Sequence, residues 1–322
     1  IKHTTKNIWL PLDASTGLAN GTLDLAEGCT ATNVCKTFKI GKLTGKGSLA
    51  HPVANFQNSS AVKGSNTWQV GNSNETGGDF TFDGTMHDDG GTNKCNFEKI
   101  GSCKMSVSGA WDNSGTVKVS GGELFMKSGS SLGTGSLTVN AGARLSGTTK
   151  SGKPMTNSSF TIYGEIQPGS SATAATGCID FNGKNVTFGA ASRIVVVLRK
   201  TATSETSPNN SYLTNIGTLK LAAGATIAPF ISDYNMGNLT TDANTPDVFY
   251  VWTKAQTVNV AGDLNFELPE LPSYNYWDTS DIAKGILYVK CDADKYKEFV
   301  TGINGIESDE IVDVTVTSIN GV

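Results

Sequence analysis

No block of basic residues occurs anywhere in this chain. Its 25 Lys and Arg are dispersed among 29 Asp and Glu, for a net charge of −4. Sequence-independent nucleic-acid binding, which needs a cationic stripe, is therefore not expected. Long apolar runs are also missing. The nearest, RIVVVLRK at 193–200, has the length of a buried strand and falls short of the roughly 18 residues that span a bilayer. Helix-forming runs of Leu, Ala, Glu, Lys and Arg are almost absent, the best being DADKYKEFV at 292–300 with Asp292 as N-cap. That stretch reads equally well as a polar surface connection. Histidine is scarce, with 3 residues, and the 6 cysteines (29, 35, 95, 103, 178 and 291) form no C-x-x-C pair and have no neighbouring His, so zinc is not indicated. Cys29 with Cys35, and Cys95 with Cys103, are close enough in sequence to close small disulfide loops in an oxidising compartment. The other reading makes the thiols small buried hydrophobes. No cleavable signal is visible and the chain begins at Ile1, so a mature product or an excised piece is expected.

What the chain has in quantity is glycine, 37 residues, alongside abundant Ser, Thr and Asn. The glycines recur in a pattern. Residues 21–28 read GTLDLAEG, 135–142 read GSLTVNAG and 217–224 read GTLKLAAG. In each, apolar residues stand two and four positions after the first Gly, and a second Gly follows at plus seven. Ala143 and Leu145 match Ala225 and Ile227, a looser copy starts at Gly115, and a fragment at Gly262. Apolar residues two apart are the period of a strand showing one face to a core. The second glycine marks a corner that needs positive φ or close backbone approach. Strand, corner, strand, repeated along the chain, predicts stacked coils, an all-β parallel β-helix. A β-sandwich of hairpins is the alternative, since its strands also alternate and end in Gly. A solenoid grows in one dimension, so the length fits one coil stack over 1–290 followed by 291–322 as a cap or a second, truncated segment.

Residues 95–147 carry a further signal. Lys99, Gly101, Met105, Val107, Gly109, Gly115, Val117, Val119, Gly121, Gly122 and Leu124 stand in an order that resembles the passenger-associated repeats of bacterial autotransporter-like surface proteins. Asn113-Ser114-Gly115 stands where those repeats often have Tyr-Thr-Gly. Residues 160–188 resemble their Gly-x-Ile-x-Pro-Gly corner and following strand, 268–289 their closing segment, and 68–86 the coil before the repeat. The resemblance covers about 20–290 and implies a right-handed parallel β-helix on the cell surface. Residues 304–322, NGIESDEIVDVTVTSINGV, are similar to the opening of the sorting domains that send Bacteroidetes proteins through type IX secretion. They read equally as a last strand of the cap.

Chemistry is thinly signalled. Gly129-Ser130-Ser131-Leu132-Gly133 matches G-x-S-x-G, but a strand follows Ser131 and His3, His51 and His87 all precede it, the reverse of a nucleophile elbow. DGTMHDDGG at 83–91 gathers Asp83, His87, Asp88 and Asp89, a candidate calcium loop without full EF-hand spacing, or a solvated turn. Of the arginines, Arg144 lies in a repeat corner while Arg193 and Arg199 bracket the apolar strand. Among aromatics, Trp68 shares parity with Val70 and is expected inward, and Trp277 is expected over the end of the core. Trp111, in the turn between Gly109 and Gly115, and Trp9 are the candidate exposed platforms for a sugar ring. Asn58, Asn74, Asn157, Asn185, Asn209 and Asn238 head N-x-[ST] matches, as expected by chance in such a composition. The sequence thus predicts an exported, monomeric, non-catalytic stalk or adhesin passenger, facing glycans or other cell-surface ligands. A carbohydrate-binding or accessory module of a polysaccharide-degrading enzyme is the second reading, and a calcium-dependent polysaccharide lyase the third.

Overall fold

A computed structural model describes residues 12–13, 37–46, 48–50, 65–71, 78–88, 94–149, 152–170, 176–199, 209–231 and 239–304. Two long parallel sheets form the body. One has nine strands: Thr37–Ile40, Asn66–Val70, Cys95–Lys99, Val117–Val119, Leu137–Val139, Phe160–Ile162, Cys178–Phe188, Tyr212–Ala222 and Trp252–Ala261. The other has eight: Phe80–Phe82, Lys104–Val107, Glu123–Met126, Arg144–Gly147, Glu165–Pro168, Arg193–Leu198, Thr226–Ile231 and Asn265–Phe266. In both, sheet order follows chain order and every pairing is parallel, so the chain alternates between the two walls and climbs one rung per turn. Shorter pairs, Ser48–Ala50 with Thr85–His87 and Ala110–Trp111 with Ser131–Leu132, supply a third wall. This is a parallel β-helix. The sandwich alternative, which requires antiparallel face-packed sheets, does not describe the body.

The repeat read from sequence marks where the chain passes between walls. Leu137 and Val139 point inward from one sheet, and Ala143 and Leu145 continue the core after the corner. Gly142 and Gly224 hold φ of 77° and 82°, which L side chains rarely adopt. The first glycine of the motif has a different reason. A Cβ on Gly135 would stand 1.9 Å from the carbonyl oxygen of Gly115 on the preceding rung. The copy at 21–28 lies outside the described residues.

Inside the prism the register stacks like on like. Phe97, Val117, Leu137, Phe160, Val186 and Leu219 form one inward column, and Met105, Leu124, Leu145, Ile166, Ile194 and Ile227 another. Nearly all are fully buried, each worth about 1.5–3 kcal/mol relative to exposure. One position in the neighbouring column breaks the apolar rule. Lys99 pairs in register with Val119 and is fully buried. Its Nζ donates to the carbonyl oxygens of Ile100 at 2.6 Å, Gly101 at 3.2 Å and Gly121 at 3.3 Å. The ammonium pins a corner by satisfying carbonyls of two successive coils. Lys99→Met should lower stability by about 2–4 kcal/mol, because the core volume is kept while three partly buried carbonyls lose their charged donor. A urea titration checks this: a lower midpoint with an unchanged m-value is the expected result.

A three-stranded antiparallel sheet of Asp247–Tyr250, Ile286–Cys291 and Asn275–Asp278 adjoins the stack. Its Phe249, Leu287 and Val289 join the same buried cluster as the coil interior, and Trp277 packs partly buried against it, as expected from sequence. The expected helix runs over Ala293–Asn304, and the Asp292 carboxylate accepts from the backbone N–H of Lys295 at 3.2 Å as its N-cap. Residues 305–322, most of the stretch similar to a sorting domain, lie outside the described residues. In the antiparallel sheet, the Lys290 ammonium at 2.5 Å and the Ser280 N–H pull the Asp278 carboxyl down to about 2 from 3.8. A lowered folded pKa gives stability that is fully present above the unfolded value and lost as pH falls through the folded one. The melting temperature should therefore drop between about pH 4 and pH 2, and Asp278→Asn should flatten that part of the profile in a thermal scan series.

Candidate functional site

The outer edge of the eight-stranded sheet carries the densest chemistry in the described chain. The first outward residue of successive strands is Lys104, Glu123, Arg144, Glu165 and Arg193, placed side by side by the register. The signs alternate rung by rung, at about 4.8 Å per rung. Asp79 extends the row before Lys104, with carboxylate and ammonium 3.5 Å apart, and Glu267 extends it after Arg193. At the centre, one oxygen of Glu165 is ion-paired with Arg144 Nε, and the other accepts from Arg193 Nη1 at 2.5 Å. Its side chain is only 11% exposed, whereas each arginine is 39% exposed. Arg144 also lies 3.7 Å from Glu123, whose other oxygen accepts from Ser146 Oγ at 2.5 Å.

Beside this row the corners are bare. Gly122, Gly142, Gly164 and Ala191 floor a groove of about 560 Å³ whose polar wall is the charge row. The sequence reading singled out Arg144 and Arg193 but did not join them. The available signal was local: a charged residue directly before the inward aliphatic of each post-corner strand, Glu123-Leu124, Arg144-Leu145, Glu165-Ile166 and Arg193-Ile194.

The residues expected to carry chemistry are otherwise engaged. Trp111 is not an exposed platform: it is 2% exposed, its ring edge-on to Phe97 with centroids 4.8 Å apart, and Nε1 donates to Gly84 O at 3.3 Å. The span between Gly109 and Gly115 contains the short strand Ala110–Trp111, and strand geometry turns the indole inward. Trp9 lies outside the described residues. Trp68 is buried, as its parity with Val70 predicts. Asp83 accepts from Ser108 Oγ and lies 3.7 Å from Lys127 Nζ. Asp88 accepts from the N–H of Cys95 at 2.8 Å, and from both the N–H and Oγ of Ser114 at 2.9 and 2.5 Å. Asp88 therefore ties two coils together. Asp89 lies outside the described residues, and among the described residues no three His, Cys, Asp or Glu gather as a metal-binding group.

Ser131 donates its hydroxyl to Trp111 O at 2.9 Å, and Ser130 is buried with its hydroxyl on Lys127 O. His87 pairs instead with Asp112 at 2.6 Å and Thr85 at 2.8 Å. Among the described residues the G-x-S-x-G match thus has no nucleophile–base contact; His3 and His51 lie outside them. Cys95 and Cys103 are not joined to each other, and Cys29 and Cys35 lie outside the described residues. Burial pushes the Cys95 thiol up to about 12 and the Cys178 thiol up to about 11, so neither supplies a thiolate nucleophile near neutral pH. Asn157 is fully buried and donates to Leu132 O and Gly135 O, which leaves no room for a glycan on its amide. No helix among the described residues is long and apolar enough to cross a membrane. No family model matches the chain, and neither a curated protein nor a solved structure is found to be similar to it.

Proposed function

We infer that this chain is a non-catalytic stalk or adhesin passenger of an exported, surface-attached protein. The observation that carries the reading is the unbroken stack: nine rungs in one sheet and eight in the other, each bonded to its neighbours. At rung spacing, nine strands extend roughly 40 Å along the axis. Backbone groups are spent on adjacent coils, so strand edges remain only at the ends of the stack. Contacts between neighbouring coils let folding propagate from one end, which suits a chain that folds after export. The likeness of residues 95–147 to passenger-associated repeats supports the same placement, as does the likeness of 304–322 to a sorting domain. The lyase reading gains no support from Asp83 and Asp88, whose carboxylates serve Ser108, Cys95 and Ser114.

Two measurements test the reading together. Intact cells of the source organism treated with a membrane-impermeant biotin reagent should label the protein. The purified chain, incubated with neutral and acidic polysaccharides with and without calcium, should release no new reducing ends or unsaturated sugars. A protein shielded from the reagent in intact cells, or a polysaccharide shortened by it, would sink the proposal.

A further inference from the structure

We propose that the groove beside the charge row binds a neutral polysaccharide strand laid along the solenoid axis, with Tyr163 as its stacking platform. This goes beyond the stalk reading and does not rest on it. Tyr163 is 49% exposed and directly precedes Gly164, which floors the groove. Its ring lies across Gly189 on the next rung: a Cβ there would stand 2.6 Å from Cδ1 and 3.1 Å from Cε1. Glycine at 189 is what lets the ring lie down against the backbone. Phe188 pairs with Leu221 and Ala222 with Ala261, so the residues that follow Phe188, Leu221 and Val260 are Gly189, Ala222 and Ala261, none larger than a methyl. An aromatic face next to a bare corner offers a sugar ring both a stacking surface and room to approach.

The charge row supplies the polar half of the site. Lys104, Arg144 and Arg193 are donors, while Glu123 and Glu165 are acceptors, and they alternate along the groove wall. A sugar hydroxyl both donates and accepts, so neighbouring hydroxyls of a pyranose match a cation and a carboxylate on adjacent rungs. These five rungs cover roughly 20 Å, the extent of an oligosaccharide rather than a single sugar. The charges select a neutral chain. Four carboxylates (Asp79, Glu123, Glu165 and Glu267) already neutralise the three cations of the row, and the whole protein is net negative. A uronic-acid polymer would meet no net positive field and would have to break Arg–Glu pairs to bind.

The test uses the whole chain against immobilised neutral oligosaccharides (β-glucan, xylan, mannan and galactan fragments) and acidic ones (polygalacturonate and heparin fragments). At least one neutral probe should bind. Tyr163→Ala should weaken that binding about tenfold or more, with an unchanged melting temperature because the ring is half exposed. Tyr163→Phe should retain the binding, since the platform is the ring face. Gly189→Ala should weaken it with the tyrosine still present, because the new methyl lifts the ring. Binding to acidic probes alone, binding to none, or neutral binding indifferent to Tyr163→Ala would each overturn the proposal. The stalk reading would survive any of these, because its own tests read cleavage and surface labelling.

Discussion

Trp111→Ala is expected to destabilise the coil stack by about 3–5 kcal/mol, the range for deleting a large buried aromatic. The indole is enclosed, packed edge-on against Phe97 and tilted against Phe82 at 6.3 Å, with its N–H spent on Gly84 O. Truncation opens a cavity where two walls meet and strands that carbonyl. Trp111→Phe should cost less, since the ring contacts partly survive while the hydrogen bond is lost. Thermal unfolding followed by circular dichroism checks both, and the expected order is wild type, Phe, then Ala. An alanine variant as stable as the parent would mean that the indole faces solvent after all. The experiment also guards against a false functional result: lost glycan binding in Trp111→Ala would report unfolding, which is why Tyr163 carries the binding test.

Gly135→Val should be at least as damaging, with a loss of about 3 kcal/mol or more. The obstruction is backbone on backbone. Any Cβ at 135 points at the Gly115 carbonyl oxygen from 1.9 Å, and that oxygen belongs to a rung held by ladder bonds on both sides. Flexible side chains could give way; this carbonyl cannot without parting the coils. A substitution such as Ser128→Ala in the exposed turn nearby should leave the melting temperature almost unchanged. Soluble expression and the midpoint of urea unfolding are the readouts. A Gly135→Val chain with native stability would show that the rungs do not approach as closely as described.

How much of this was legible beforehand follows from the range of each constraint. Gly135, Gly142 and Gly224 answer to requirements set within one coil or between two neighbours, so a short motif recorded them, and the solenoid could be read from it. Trp111 was misplaced because the third wall at this point is built from two-residue strands, too short to display a period; the flanking Gly109 and Gly115 made a strand resemble an open turn. Lys99 fell in a Lys-x-Gly corner by resemblance; it shares the parity of Cys95 and Phe97, which turns its stem inward, but its charge pointed to solvent. The charge row was hidden for another reason. Its members are separated by whole coils of unequal length, so Lys104, Glu123, Arg144, Glu165 and Arg193 line up only once the register is known. Tyr163 carries no signal in its own segment, since what lays its ring down is Gly189, a whole coil away in the chain.

The alternation of charge along that row sets a parity rule for how such a molecule can lengthen by gene duplication. Copying one coil, for instance the one carrying Glu123, would seat glutamate beside glutamate, and like charges directly opposite on paired strands are destabilising. Copying the coils of Glu123 and Arg144 together restores plus against minus at both junctions. Viable length variants of this protein should accordingly differ by even numbers of turns within this region, whereas the apolar interior, blind to sign, would have tolerated any number.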